Sequence, residues 1–207
     1  MDTFKTIKYC SEGIYKEKGS KFLAFAVPVR TADEVKELLV QYRKDFYDAR
    51  HLCYAYRLGA DKTDFRSNDD GEPSGTAGKP ILGQILSQDL TDILIIVVRY
   101  FGGILLGTGG LITAYKNAAA DALANAEIIE KTVEQWFSVY FPYPAMNAVM
   151  KIVKDENITI VKQHFDNECI IKISIRKANV ENAKNKFSKI EFLKIEESGE
   201  KEKNQKK

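Results

Sequence analysis

Cysteine and long apolar runs are scarce in this 207-residue chain, and each scarcity excludes something. The three cysteines, Cys10, Cys53 and Cys169, are odd in number and show no C-x-x-C spacing. That excludes a disulfide framework or a zinc knuckle and predicts reduced, buried thiols. The longest strongly apolar run, Ile93–Val98, is far too short to span a bilayer. The opening MDTFKTIKYC lacks the apolar segment of a secretory signal. A cytoplasmic location with no membrane partner is therefore expected. Strong charge of one sign is missing too. The net charge is +2, with 17 basic and 18 acidic side chains in residues 1–132 (net −1) and 14 and 11 in residues 133–207 (net +3). That asymmetry is too mild to steer a polyanion unaided.

What is present is concentrated in two segments. NDDGEPSGTAGKPIL at 68–82 packs three carboxylates, two hydroxyls and three glycines together. VVRYFGGILLGTGGLITAY at 97–115 follows an apolar run with five glycines and a helix-like pattern. Glycine is entropically costly in ordered structure and is placed where φ is positive or where something approaches the backbone. Two such loops in one half of a small protein predict a shared functional surface.

Periodicity supplies the scaffold. Residues 4–10 and 20–29 read as strands. Thr31 and Glu34 have the form of a capping box, and Val35, Leu38, Leu39 and Tyr42 follow at helical spacing, so 32–45 reads as a helix. Residues 50–58 alternate as a strand. Residues 59–76 read as a loop, and a helix starts near Lys79, with Pro80 in its first turn. Residues 92–99 form a strand whose continuous apolar character predicts burial on both faces. A glycine loop, 102–110, leads into a helix over 111–126. The second half reads strand 132–141, helix 145–155, strands 159–164 and 169–176, helix 180–188 and strand 191–195. That β-α-β-β-α-β order is the ferredoxin-like pattern. The class is therefore α+β with two domains, 1–132 and 133–198, and a mobile charged tail, 199–207.

The candidate chemistry admits several readings. Gly107, Thr108, Gly109 and Gly110 lie between a buried strand and a helix, where free N–H groups can bind an anion. Neither standard nucleotide fingerprint is present in its proper form; a tight turn packing the helix on the sheet is the alternative. Asp69, Asp70 and Glu72 could hold a hydrated magnesium ion or supply a general base, or they could bond the local backbone of a turn. No fourth metal ligand is evident, so no metal or cofactor is expected. Ser74 and Thr76 are nucleophiles only beside a base. A Ser74, His51 and Asp69 triad can be drawn, but no G-x-S-x-G elbow accompanies it; a hydrogen bond within the fold is the commoner fate of a strand histidine, and His164 reads as a surface residue. Arg50, Arg57, Lys79, Arg99 and Lys116 flank the loops beside Tyr54, Tyr56, Tyr100, Phe101 and Tyr115. Such neighbours can grip single-stranded RNA; equally, the aromatics form core and Arg99 pairs with Asp69, Asp70 or Glu72.

With these residues the chain resembles the IMPACT/YigZ family. The resemblance is carried by Ala49-Arg50-His51-x-Cys53-x-Ala55-Tyr56, by DDGEPSGTAGKPIL at 69–82 and by VVRYFGGILLGTGGLITAY at 97–115. It implies a first domain similar to the second domain of small-subunit ribosomal protein five, and a second similar to the ferredoxin-like fifth domain of elongation factor G. It also implies translational control, the role of the eukaryotic relatives, with no enzymatic activity attached. Many members carry a basic residue in the glycine loop or just before the following Ala-Tyr; Leu105 and Thr113 stand there in this chain, and Lys116 lies just beyond. The expected function is thus non-catalytic regulation through binding of ribosome, RNA or a translation factor. The expected surface comprises Arg50, His51, Asp69, Asp70, Glu72, Ser74, Thr76, Lys79, Arg99, Gly102, Gly103, Gly107, Gly109 and Gly110. The alternatives are a metal-dependent hydrolase or phosphate-processing enzyme using residues 69–76, and a protein–protein module whose Tyr and Phe side chains form a hot spot.

Overall fold

The run ILIIVVRY has no polar face to offer water, and it forms the middle strand of a five-stranded sheet. In a computed structural model that describes residues 2–166 and 168–198, the chain divides into two units. One is Thr3–Lys131; the other holds Asp2 and the chain from Thr132 onward. The expected charged tail, 199–207, lies outside the described residues.

The first unit runs β1 (Thr3–Ile7), β2 (Ser11–Glu17), β3 (Ser20–Pro28), α1 (Ala32–Asp45), β4 (His51–Leu58), β5 (Asp64–Asn68), α2 (Gly78–Ser87), β6 (Ile93–Tyr100), α3 (Gly107–Ala124) and β7 (Ile128–Thr132). The main sheet has the order β2-β3-β6-β4-β5, with every neighbouring pair antiparallel. Phe22, Ala24, Cys53, Ala55, Ile95 and Val97 point to one face and pack with Ile81 and Ile85 of α2 and Ala114, Tyr115, Ala118 and Ala122 of α3. Leu52, Leu94, Ile96 and Val98 point to the other and pack with Val35, Leu38, Leu39 and Tyr42 of α1. Covered on both sides, β6 is buried from Ile93 to Arg99. Its double-sided apolar character therefore marks a central antiparallel strand between two helical layers.

Three strands escape periodicity reasoning. β1 ends at Ile7 rather than at residue 10, and β2 follows in a stretch, 11–19, that the periodicity leaves without an element. It is an edge strand with Ile14 nearly half exposed, and edges need few apolar residues. Its Gly13 is demanded by packing: a Cβ there would lie 2.2 Å from the Ala122 amide nitrogen. Lys18 and Gly19, at φ 46° and 78°, make the tight turn into β3. β5, within the expected 59–76 loop, is the opposite edge and leaves Phe65 exposed. β7 is one half of a two-stranded sheet with β1. At α1, the Thr31 hydroxyl accepts the Glu34 N–H at 3.2 Å, but the Glu34 carboxylate reaches the Arg30 N–H, one residue beyond the expected partner.

The second unit runs β8 (Glu134–Phe141), α4 (Met146–Asp155), β9 (Thr159–Phe165), β10 (Cys169–Arg176), α5 (Val180–Phe187) and β11 (Lys194–Ser198). The sheet order is β11-β8-β10-β9, antiparallel throughout. Phe137, Val139, Phe141, Ile171, Ile173 and Ile175 bury one face against Val149 and Val153 of α4 and Phe187 of α5. The last strand starts at Lys194, not at 191, because Phe192, left-handed at φ 60° and 88% exposed, still belongs to the turn. Cys53 and Cys169 are buried, whereas Cys10 is exposed, against the expectation of buried thiols, because it lies between β1 and β2 at the sheet edge.

Candidate functional site

At the end of the sheet where β6 stops and β4 begins, the two glycine-containing segments meet. Their meeting point is Glu72. It accepts from Arg99 at 2.5 Å and from the Tyr115 hydroxyl at 2.8 Å, with both members of the ion pair almost wholly buried. Arg99 ends the buried part of β6, so the bond ties the acidic loop to the strand that feeds the glycine loop. The guanidinium lies 5.5 Å from the Phe22 ring centroid and 5.7 Å from that of Phe101, within cation–π range. Its Nε is buried without a partner. Tyr115 comes from α3 and packs edge-on to Phe22, with centroids 5.1 Å apart.

The other two carboxylates are used differently. Asp69 accepts from the N–H groups of Gly75, Ala77 and Gly78 at 2.8 to 3.0 Å, closing the loop onto the start of α2. Burial would raise its pKa, but those three donors and the nearby Lys79 charge outweigh it and hold the carboxyl below the usual range. Asp70, left-handed at φ 43°, accepts from the Leu52 N–H at 2.6 Å and from Arg43 at 2.5 Å. Its carbonyl takes a hydrogen bond from His51 Nδ1 at 2.8 Å. A carbonyl only accepts, so Nδ1 carries the proton.

This geometry corrects the catalytic constellations drawn from the sequence. Asp69, Asp70 and Glu72 do not converge; each braces a different element. Among the described residues no three His, Cys, Asp or Glu side chains are grouped to hold a metal ion. The Ser74, His51 and Asp69 triad is not assembled, because His51 faces the Asp70 carbonyl and Asp69 is engaged by backbone amides. Thr76 is buried and donates to the Pro73 carbonyl at 2.7 Å. Cys53, beside Tyr115, has its thiol pushed well up by burial, and burial does the same to the Tyr115 hydroxyl, so both keep their protons.

Of the basic side chains, Arg50, Lys79 and Lys116 are exposed. Arg57 turns to the Lys62 and Leu90 carbonyls and Asp89, and Arg99 is committed to Glu72. Glu72, Thr76 and Arg99 thus lie beneath the surface, while Gly71, Ser74 and Gly109 are open to it.

The glycine segment divides by role. Gly102 is structural: a Cβ there would sit 1.9 Å from the Gly19 carbonyl carbon and 2.2 Å from the Ser20 nitrogen. Gly103 and Gly107, at φ 87° and 70°, need left-handed backbone. Gly109 needs neither, since it has no positive φ and a Cβ would meet nothing within 4 Å. The helix begins at Gly107, inside the expected 102–110 loop, and Leu106 offers its first amides no side-chain cap. Around it stand four side chains that sequence reasoning missed as surface: Phe101 (50% exposed), Ile104 (56%), Leu105 (81%) and Ile112 (42%). For Phe101, Ile104 and Leu105 the signal was apolar residues set among glycines between a strand and a helix; Ile112 lies on the exposed side of α3.

Comparison with known proteins places this arrangement. The Impact N-terminal domain family matches residues 18–123, which include the whole site. The Escherichia coli protein named IMPACT family member YigZ is 32% identical over 165 residues, covering 79% of this chain and 81% of that protein. Rat Protein IMPACT is 36% identical over 96 residues, covering 44% of this chain and 30% of its own length. A crystal structure described as that of a hypothetical protein superposes with a TM-score of 0.74 at 27% identity, covering 97% of this chain and 99% of its own. The chain belongs to the IMPACT family.

Proposed function

We propose that this protein is a non-catalytic regulator of translation that docks on a component of the translation apparatus through the glycine-loop face of its first unit. Leu105, Ile104, Phe101 and Ile112 form the contact, with Arg50, His51, Ser74, Lys79, Gly103, Gly107, Gly109 and Gly110 around it. Asp69, Asp70, Glu72, Thr76, Arg99 and Gly102 hold that face from below. The observation that carries the reading is a division of labour. The three loop carboxylates, Asp69, Asp70 and Glu72, are each used as a brace, while apolar side chains and an unconstrained glycine are left outside. Exposed apolar patches rimmed by polar groups mark interaction sites. Family membership supports the link to translation, since the eukaryotic relatives act in translational control. The inferred fold kinships, to ribosomal protein five for the first unit and to elongation factor G for the second, point the same way, and the reading carries with it a cytoplasmic location.

The test is co-sedimentation with ribosomes across a salt series, for the parent protein, Leu105→Asp and Gly109→Ala. Retention lost in both folded variants supports the reading. No retention at low salt removes the ribosome as the direct partner and leaves a translation factor. The apolar character of the loop also favours the protein–protein reading. It predicts retention insensitive to salt, whereas phosphate contacts weaken steeply as salt rises.

A further inference from the structure

The second unit's sheet carries a feature that the first unit's site does not explain. Both helices of this unit pack on one face, against Phe137, Val139, Phe141 and Ile171. Side chains alternate along a strand, so the intervening residues stand on the other face. The register sets them in rows. Lys194, Tyr140, Ile170 and His164 oppose one another across the four strands; so do Glu196, Ser138, Lys172 and Lys162; so do Ser198, Trp136, Ser174 and Thr159. Trp136 and Tyr140 are half-buried, on a central strand, and Lys162, His164 and Lys194 are exposed on the flanking ones. An aromatic pair at the centre with lysines to either side is the arrangement that takes stacked bases and their phosphates.

We propose that this face is a stacking platform for single-stranded RNA. Trp136 and Tyr140 each take a base, and Lys162, Lys172 and Lys194 contact the phosphates. The two rings lie four residues apart on β8, about 13 Å along the strand, so they take separate bases. Lys194 already pairs with Glu196 at 2.5 Å, and both partners are largely exposed; such a pair is weak and a phosphate can displace it. Duplexes hide their base faces, so the unpaired strand is the form this surface fits. The choice of RNA over DNA rests on the translational reading above; the rest stands on this face alone.

The chain supplies its own probe, because Trp136 is its only tryptophan. A fluorescence titration of the full-length protein with unstructured oligouridine and oligoadenosine tests the proposal. Stacking is expected to quench Trp136. Three phosphate contacts give a salt slope of about −2, which is ~20-fold weaker binding between about 50 and about 200 mM salt. Tyr140→Ala should weaken binding by about tenfold. Lys162→Glu, an exposed change on an edge strand that leaves the core untouched, should weaken it by at least as much. Leu105→Asp, in the first unit, should leave quenching unchanged, so failure of the ribosome-docking reading is seen separately. Absence of quenching at low salt overturns the proposal. So does equal quenching by poly-glutamate, which offers charge without bases, or by a duplex of the same length. Tighter binding of the matching DNA strand overturns the assignment to RNA.

Discussion

Removing Glu72 should destabilise the first unit through the cation left behind. Its carboxylate is the counter-ion of Arg99 and the acceptor for Tyr115, in a pair whose side chains are 4% and 7% exposed. Glu72→Ala strands a guanidinium whose Nε already lacks a partner. Breaking a buried pair from one side costs about 3–5 kcal/mol, a large share of the ~5–15 kcal/mol that stabilises a domain. Because two units rarely unfold as one two-state system, a single melting curve is a poor readout. Native-state hydrogen exchange separates them. Amides of β4 and β6 should exchange about 100-fold faster or more, at about 1.4 kcal/mol per factor of ten, while those of β8 and β10 stay unchanged. The paired replacement Glu72→Leu with Arg99→Met removes both charges and should recover most of the loss, since apolar substitutes for a buried pair are often neutral or stabilising. A change in β6 exchange below about fivefold in Glu72→Ala, or a double variant no better than the single, would refute the buried-brace argument.

Acidification should open the 69–78 loop before the sheet. The folded pKa of Asp69 is lowered, so its contribution is complete above the ordinary value of 3.8 and is lost as pH falls through the lower folded value. Amide shifts of Gly75, Ala77 and Gly78 should move in that acid window, and Asp69→Asn should abolish the transition. Gly102→Ala should fail to fold, whereas Gly109→Ala should keep its stability or gain up to ~1 kcal/mol; equal behaviour in urea unfolding would refute the division of roles between these glycines. A thiol reagent should modify Cys10 in the native protein and leave Cys53 and Cys169 protected until denaturation; native labelling of Cys53 would contradict the closed core around Tyr115.

Much of the scaffold was legible because a single face decides it. The helical spacing of Val35, Leu38, Leu39 and Tyr42, the alternation of residues 51–58 and the apolar run of β6 each answer to one-dimensional patterning. The elements that escaped, β2, β5 and β7, are edge strands or half of a small sheet, where burial is partial and the pattern correspondingly faint. The candidate site was legible as a location and not as a mechanism. Asp69, Asp70 and Glu72 were visible as a dense acidic cluster, but whether they converge on a ligand or diverge to three braces depends on partners up to 43 residues away, as Tyr115 is from Glu72.

By itself the sequence determined the two-part α+β organisation, the family and the position of the two glycine-containing loops, because hydrophobic periodicity and glycine placement are local properties of a chain. Only the tertiary structure decided which glycine is packed and which is open, which arginine is buried and which is free to the surface, and that Trp136 and Tyr140 share a face with lysines from three other strands. Those are outcomes of strand register and of contacts between distant segments, and no local pattern encodes them.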